Sequence, residues 1–321
     1  MRRLFRWLLR GVVAWACTVA LVSLLLHPYW AVTRTSGSRV LVVEGWMHDA
    51  GMREAAGLFA RQGYERVVVT GSVRPFAYYL RQGDTLTLRF AEARMGDLEL
   101  RWAGLPGERL QLLADSTLLL DARIGEGSER KTVQLPATMA LRLTVPFDGA
   151  TPSPHAAVHI AGLRINGRNA HDAITQVELT HADGTRERGA PTFAHYGEQL
   201  LVGQGIARER IVVLPTWRVE RSKTYSAGRD VAAWARGQRV AAYDVATLAV
   251  HARRTWRMHR IARGNDAVGI VALHDPWCQR WSWWGNYYGW YQVLKETLAL
   301  PLPWLVDRAN DDDEPSAPAP R

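Results

Sequence analysis

Cysteine is scarce in this chain of 321 residues: only Cys17 and Cys278 occur. Two thiols are too few for a zinc cluster, and Cys17 lies inside an apolar run, so neither a metal site nor a disulfide framework is expected. Lysine is scarcer than the charge suggests. Of 40 basic residues only Lys131, Lys223 and Lys295 are lysines. The net charge of +9 would suit a polyanion. An arginine excess of this kind follows from gene base composition, so no nucleic-acid partner is expected. Long apolar runs are missing but for one, and the mean hydropathy of −0.17 excludes a polytopic membrane protein. Glycine-rich phosphate loops are missing too. Without G-x-G-x-x-G or a P-loop, no nucleotide cofactor is expected. Hydrophobic residues make up 47% and charged residues 22%, values of a globular chain rather than a disordered or fibrous one. The length admits one large domain or two of ordinary size.

The one apolar run spans Gly11 to Leu26. Arg2, Arg3, Arg6 and Arg10 precede it, and His27-Pro28-Tyr29-Trp30 closes it. Basic residues before and aromatics after give a cytoplasmic N-terminus and an exported remainder. Adding Leu4 to Leu9, with Arg10 snorkelling, makes the segment long enough to span a bilayer. No small-residue cleavage pattern follows Leu26, so the segment reads as a retained anchor rather than a signal peptide. Residues 1–30 are expected to hold the protein in the inner (plasma) membrane as a single-pass span, with the bulk of the chain periplasmic. The oligomeric state cannot be read.

Arg39 to Val43 is a short β-branched run. Met52, Ala55, Ala56, Phe59 and Ala60 follow at helical spacing, and Val67 to Val69 reads as a second buried strand. Strand, helix, strand is the start of a parallel sheet. From Pro75 to Gly189 the rhythm changes to short alternating runs, among them Thr85–Phe90, Leu98–Trp102, Leu118–Ala122, Leu141–Val145 and Val158–Ile165. Turn residues separate them, the signature of an antiparallel β-sandwich. After Thr192 the α/β pattern resumes. A helix ends in Gln199–Gly205, strands cover Ile211–Leu214, Val245–Val250 and Val268–Leu273, and helices cover Ser222–Ala235, Arg253–Ala262 and Tyr288–Leu300. The expected fold is α/β: a Rossmann-like parallel sheet over 36–73 and 192–306, an inserted β-sandwich over 75–190 and an N-terminal transmembrane helix. Residues 307–321 read as a disordered tail.

In an open parallel sheet, ligands bind beyond the carboxyl ends of the strands. Those ends carry Glu44-Gly45-Trp46, Thr70-Gly71-Ser72, Thr216-Trp217-Arg218, His251-Ala252-Arg253-Arg254 and His274-Asp275. Glu44 is a candidate general base and His251 a candidate acid or base. Arg218 and Arg253 are candidate clamps for a phosphate or carboxylate. Gly45, Trp46, Thr70, Gly71, Ser72, Thr224, Arg254, His274 and Asp275 are expected to line the same crevice. The plainer alternative is that His251 caps its helix and Glu44 pairs with an arginine.

These strand ends resemble those of the YdcF-like family, which includes the SanA and ElyC envelope proteins. VVEGWMHDAGMREAAGLFARQGYERVVVTGS resembles the family's opening strand, helix and second strand. GQGIARERIVVLP and ATLAVHARRTWRM resemble later segments, and VEGW, KTY and HARR together point to the branch that opens on Val-Glu-Gly-Trp. The chain departs from the pattern twice. Ser226-Ala227-Gly228 follows Thr224-Tyr225 where many members have Glu-Asn, and Ala194-His195-Tyr196 stands where many carry a Glu. RLTVPFDG and AAVHIAGLRINGRN resemble the late strands of calcium-dependent, xylan-binding carbohydrate-binding modules. Asp148 falls where such modules place a calcium ligand, but Ser153-Pro154-His155 supplies no acidic partner, so no metal is expected there.

The resemblance implies a role in envelope upkeep: an enzyme-like protein acting on or binding envelope glycan (polysaccharide) or a phosphorylated or lipid-linked sugar. The alternative is a non-catalytic binding or scaffold protein. Trp277, Trp281, Trp283, Trp284, Tyr287, Tyr288, Trp290 and Tyr291 crowd one stretch near the C-terminus. Such rings stack on sugars, settle at membrane interfaces or pack as a lid, and the sequence leaves these open.

Overall fold

The computed structural model describes residues 2–149, 151–299 and 301. The disordered tail expected over 307–321 lies outside the described residues. In chain order the elements are α1 (Arg2–Trp30), β1 (Val40–Glu44), α2 (Asp49–Arg61) and β2 (Arg66–Ser72), then β3 (Tyr78–Leu80), β4 (Thr85–Gly104), β5 (Arg109–Ala114), β6 (Thr117–Arg123), β7 (Ser128–Thr144), β8 (Val158–Ile165), β9 (Arg168–Asn169), β10 (Ile174–Thr180) and β11 (Arg186–Arg188). They continue as α3 (Phe193–Gly203), β12 (Ile211–Thr216), α4 (Lys223–Gly237), β13 (Tyr243–Leu248), α5 (Ala252–Arg263), β14 (Val268–Leu273) and α6 (Tyr287–Leu298). The chain forms two compact units, Val73–Tyr196 and the remainder on either side of it.

The first unit holds a five-stranded parallel sheet in the order β12-β2-β1-β13-β14. Its inner strands β1, β2 and β13 are buried on both faces, while the edge strand β12 is largely half-buried. Leu41, Val43, Val67 and Val69 pack beneath α2 and α3 with Met52, Phe59 and Leu201. Val42, Val68, Val245 and Ile270 pack on the other face with Val231 and Ala235 of α4 and Ala252 of α5. The sheet is therefore wound on both faces. The chain leaves β1 towards β2 on one side, while β13 occupies the other, which makes the β1–β13 gap the point where strand order reverses.

Local chemistry sets the helix ends. The Ser222 hydroxyl accepts the Tyr225 N–H at 3.1 Å to start α4, and the Asn286 amide oxygen accepts the Gly289 N–H at 2.8 Å to start α6. Gly264, at φ 75°, ends α5 in the left-handed conformation. β13 stops at Leu248, shorter than the expected Val245–Val250, because Ala249–His251 wind into a 3₁₀ turn with Ala249 at φ 26°. That strained backbone, costing of order 1–3 kcal/mol, delivers His251 to the strand end.

α1 contains a stretch, Leu9–Trp30, long and apolar enough to cross a membrane. Its side chains are exposed as far as Leu25 wherever they are described. From Leu26 onward it docks on its own unit. Trp30 is buried with Val250, Cys278, Trp283 and Val293, and the His27 Nε2 lies 2.8 Å from the Cys278 carbonyl.

The second unit is antiparallel, with β11-β10-β4-β7-β5-β6 along one path and β3, β8 and β9 attached through β4. Thr85–Phe90 and Leu98–Trp102, which read as separate runs, belong to one 20-residue strand. The pairing of β4 with β7 shifts register between Arg89 and Gly96, Gly96 adopts φ 117°, and Pro136 falls in the interrupted stretch of β7. This is where a missing donor and a bulge are tolerated. Leu86, Leu88 and Phe90 before the break share one core with Leu98, Leu100 and Trp102 after it, so the sheet folds back over itself.

Candidate functional site

Glu44 is the last residue of β1 and is buried. Its carboxylate accepts hydrogen bonds from the Thr247 hydroxyl on β13 and, at 3.4 Å, from the Thr255 hydroxyl on α5. The first of these spans the gap where strand order reverses. Beside Glu44, the Gly45 N–H donates to the Thr70 carbonyl at 2.7 Å, and the buried Thr70 hydroxyl has no hydrogen-bond partner among the described residues. Gly197 of α3 keeps this loop close. A Cβ there would come within 2.8 Å of the Gly45 Cα and the Val69 side chain, so only glycine lets the helix approach the strand end.

Two residues on, Trp46 meets the His251 ring edge-on at a centroid distance of 5.0 Å. The His251 Nδ1 lies 2.6 Å from Glu296 on α6, a carboxylate with no solvent exposure. The Arg254 Nε donates to the other Glu296 oxygen at 2.7 Å, its Nη2 lies 2.9 Å from the His251 Nε2, and its Nη1 donates to Thr224 at 3.3 Å. Glu296 thus holds the Nδ1 edge of the ring, and the Arg254 Nη2 lies close to both ring nitrogens, 3.1 Å from Nδ1 and 2.9 Å from Nε2. Burial would raise the Glu296 pKa, but the hydrogen bonds and charges of His251 and Arg254 overcome it and hold the group down to about 2. Lys295 lies 3.8 Å from the same carboxylate, and burial lowers its pKa against the pull of Glu296.

The candidate residues therefore separate. Glu44, Gly45, Trp46, Thr70, Thr224, His251 and Arg254 surround or support one cluster. Gly71 and Ser72 are buried at the end of β2, where they pair with Pro215 and Thr216. Arg253 turns away: its Nε donates to the Tyr29 carbonyl and its guanidinium lies 4.1 Å from the Tyr29 ring centroid. Arg253 and Arg254 are successive helical residues pointing about 100° apart, so one of the two faces the crevice and the other faces α1. Arg218 is exposed on the loop after β12. His274 is exposed, its N–H held by Glu54, while buried Asp275 accepts the Trp277 N–H at 3.0 Å and lies 3.8 Å from His48. His251 makes no side-chain cap to α5.

Glu296, Thr247 and Thr255 belong to the cluster and were not singled out in the sequence. Glu296 did leave a signal. Gly289, Val293 and Glu296 form the buried face of α6, and a carboxylate in register with an apolar face needs a partner. Among the described residues no group of three His, Cys, Asp or Glu side chains is placed to hold a metal ion. Asp148, at the calcium-ligand position of the resemblance, is exposed.

No protein-family model matches the chain, and no curated protein matches it. Among solved structures, 28% of the chain is similar to 78% of the CBM36-1 domain of a multidomain xylanase from the hindgut metagenome of Trinervitermes trinervoides, at 18% identity and a TM-score of 0.19. A carbohydrate-binding module CBM36 in complex with calcium and xylotriose aligns over 27% of this chain and 78% of its own, at 14% identity and a TM-score of 0.19. A Paenibacillus sp. cycloisomaltooligosaccharide glucanotransferase complexed with cycloisomaltoheptaose aligns over 51% of this chain and 33% of its own, at 13% identity and a TM-score of 0.19. At these scores none of the three carries a functional assignment.

Proposed function

We propose that the parallel-sheet unit is a Rossmann-like domain of the YdcF-like type, held at the periplasmic face of the inner membrane by α1. Its crevice acts on a phosphorylated or lipid-linked sugar of the envelope. The observation that carries this reading is the His251–Glu296–Arg254 network beside the buried Glu44, where strand order reverses. Glu296 orients the imidazole through Nδ1, and Nε2 is the nitrogen through which it would exchange a proton with a substrate. Arg254, whose Nη2 lies beside that nitrogen, is placed to take an oxygen of a phosphate or carboxylate. Glu44 is the second proton acceptor, positioned by two threonine hydroxyls. The second unit we read as a carbohydrate-binding sandwich that brings glycan to the protein.

A second reading, binding without turnover, is favoured by one observation: Glu44 is only 3% exposed and already accepts from two hydroxyls. The test uses the full chain in lipid nanodiscs with a polyprenyl-diphosphate-linked sugar. Glu44→Gln is expected to abolish turnover with binding retained. Arg254→Ala is expected to weaken binding by about 1.5–3 kcal/mol, the range for a charged hydrogen bond. Arg253→Ala is expected to leave binding near the wild-type value. Unchanged turnover in Glu44→Gln sinks the catalytic reading. Equal binding by Arg254→Ala and the wild type sinks the crevice as the anion site.

A further inference from the structure

α6 carries two faces of opposite character. Gly289, Val293 and Glu296 are buried and turned to the protein. Tyr287, Tyr291, Leu294 and Leu298 are all exposed, from 51% for Tyr291 and Leu294 to 84% for Tyr287. At 3.6 residues per turn these four fall within about 60° of one another, with the buried three centred roughly opposite. Trp281 and Trp284, on the segment leading into α6, extend the exposed apolar surface. A monomer in water rarely presents such a surface without a partner.

The fold places this surface beside the anchor. Cys278, Trp283 and Val293 form the seat of Trp30, and His27 contacts the Cys278 carbonyl. Burial of α1 begins at Leu26, so the protein meets the helix within its last turn and a half. Trp30 lies about 6 Å beyond Leu26 at 1.5 Å per residue. That rise matches the headgroup layer, about 5–7 Å on each side of a 30 Å hydrocarbon core. Trp and Tyr are the side chains that settle at this depth. Arg280 lies over the Trp281 ring and Lys295 over the Tyr291 ring, so cations that suit lipid phosphates border the stripe.

We propose that the exposed stripe of α6, with Trp281 and Trp284, rests in the headgroup region of the same bilayer that takes α1. The contact is a second, peripheral attachment. It fixes the tilt of the parallel-sheet unit and lays the solvent face of the Glu296 helix on the lipid, so that the cluster stands at the membrane surface.

Site-directed spin labelling of the full chain tests this in vesicles of phosphatidylethanolamine and phosphatidylglycerol, with oxygen and a nickel chelate as relaxants. Native Cys17 is exposed and Cys278 buried, so a label on Cys17 reports α1. In a Cys17→Ser background, Tyr287→Cys and Leu298→Cys report the stripe, and Gln62→Cys reports an exposed position beyond α2. The expected result is oxygen contact exceeding nickel contact at 287 and 298, at a depth of about 5–10 Å in the headgroup–acyl boundary, with the reverse order at 62. Nickel contact at 287 and 298 equal to that at 62, with Cys17 deep in the bilayer, overturns the proposal. A Cys17 label left in water overturns it at the first step. Labels screened from both relaxants that return to water on deletion of residues 302–321 assign the surface to the chain's own tail. Dipolar broadening between labels assigns it to a second copy. Either result also overturns it.

Discussion

The two units bury polar groups in different ways. In the antiparallel unit, buried polar side chains are settled in pairs or against backbone. Asp84 takes the Arg81 N–H and His181, His171 sits between the Tyr78 hydroxyl and the Arg74 carbonyl, and the Thr138 hydroxyl donates to the Ala140 carbonyl. In the parallel-sheet unit, residues from β1, β13, α5, α6 and the turn between β13 and α5 form two neighbouring sets, Glu44 with Thr247 and Thr255, and Glu296 with His251 and Arg254. Pairwise settlement stabilises a sheet and its loops. A buried ion network drawn from separate elements exceeds what stability requires, since apolar replacements of such a network are often as stable. That difference is the ground for assigning the proposed chemistry to the parallel-sheet unit.

Four experiments sharpen or break that contrast. The largest effect is expected for Glu296→Ala, which strands the Arg254 guanidinium and the His251 N–H. A loss of about 3–5 kcal/mol is expected by denaturant unfolding, and a loss below 1 kcal/mol would show that the network is not buried in solution. Leu112→Ala, in the core of the antiparallel unit, should cost about 2–5 kcal/mol through the cavity it opens. Anion binding by the folded fraction of that variant should be unchanged, and a parallel loss of binding would remove the division of labour. Thr255→Val takes one donor from Glu44 and should cost about 1–3 kcal/mol. Measured beside a valine replacement at Thr175, an exposed-sheet hydroxyl bonded only to a carbonyl, it should be clearly the larger.

The last test reads a slope rather than a total: the pH dependence changes by about 1.4 kcal/mol per pH unit for each proton difference. His171 is pushed down by burial to about 4, and His259 in the parallel-sheet unit to about 3. The unfolded chain binds these protons first, so stability falls as pH drops from 6.5 towards those values. Glu296, held down to about 2 from an ordinary 4.5, adds stability that is complete above pH 4.5 and lost as pH falls towards 2. Unfolding midpoints across this range should show His171→Asn flattening the slope only above pH 4 and Glu296→Gln only below 4.5. A common window for both variants would break the assignment.

The parallel sheet was legible because each strand is a continuous β-branched run bounded by turn residues, and Met52 to Ala60 carry the helix periodicity between the first two strands. The long strand β4 was not, because its middle, Ala91–Asp97, is polar and bulged, and a broken alternation looks like a turn. Within the cluster, Glu44, His251 and Arg254 could be nominated from their places after strands. Which of Arg253 and Arg254 faces the crevice could not, since that depends on how α5 is rotated against α1 and α6. Glu296 was passed over because the aromatic residues of α6 dominate its pattern, and a buried carboxylate is recognised by partners far along the chain: His251 is 45 residues away.

The seat of Trp30 has a consequence for how the protein would respond to proteolysis. Val250, which adjoins His251, and Val293, one turn before Glu296, both close on that indole. A protease that clipped the chain just beyond Trp30 would do more than remove α1. It would leave an indole-sized void directly beneath the cluster, a defect that costs about 3–5 kcal/mol when made by truncating a buried tryptophan to alanine. Removal of α1 and destabilisation of the residues around His251 and Glu296 are therefore the same event.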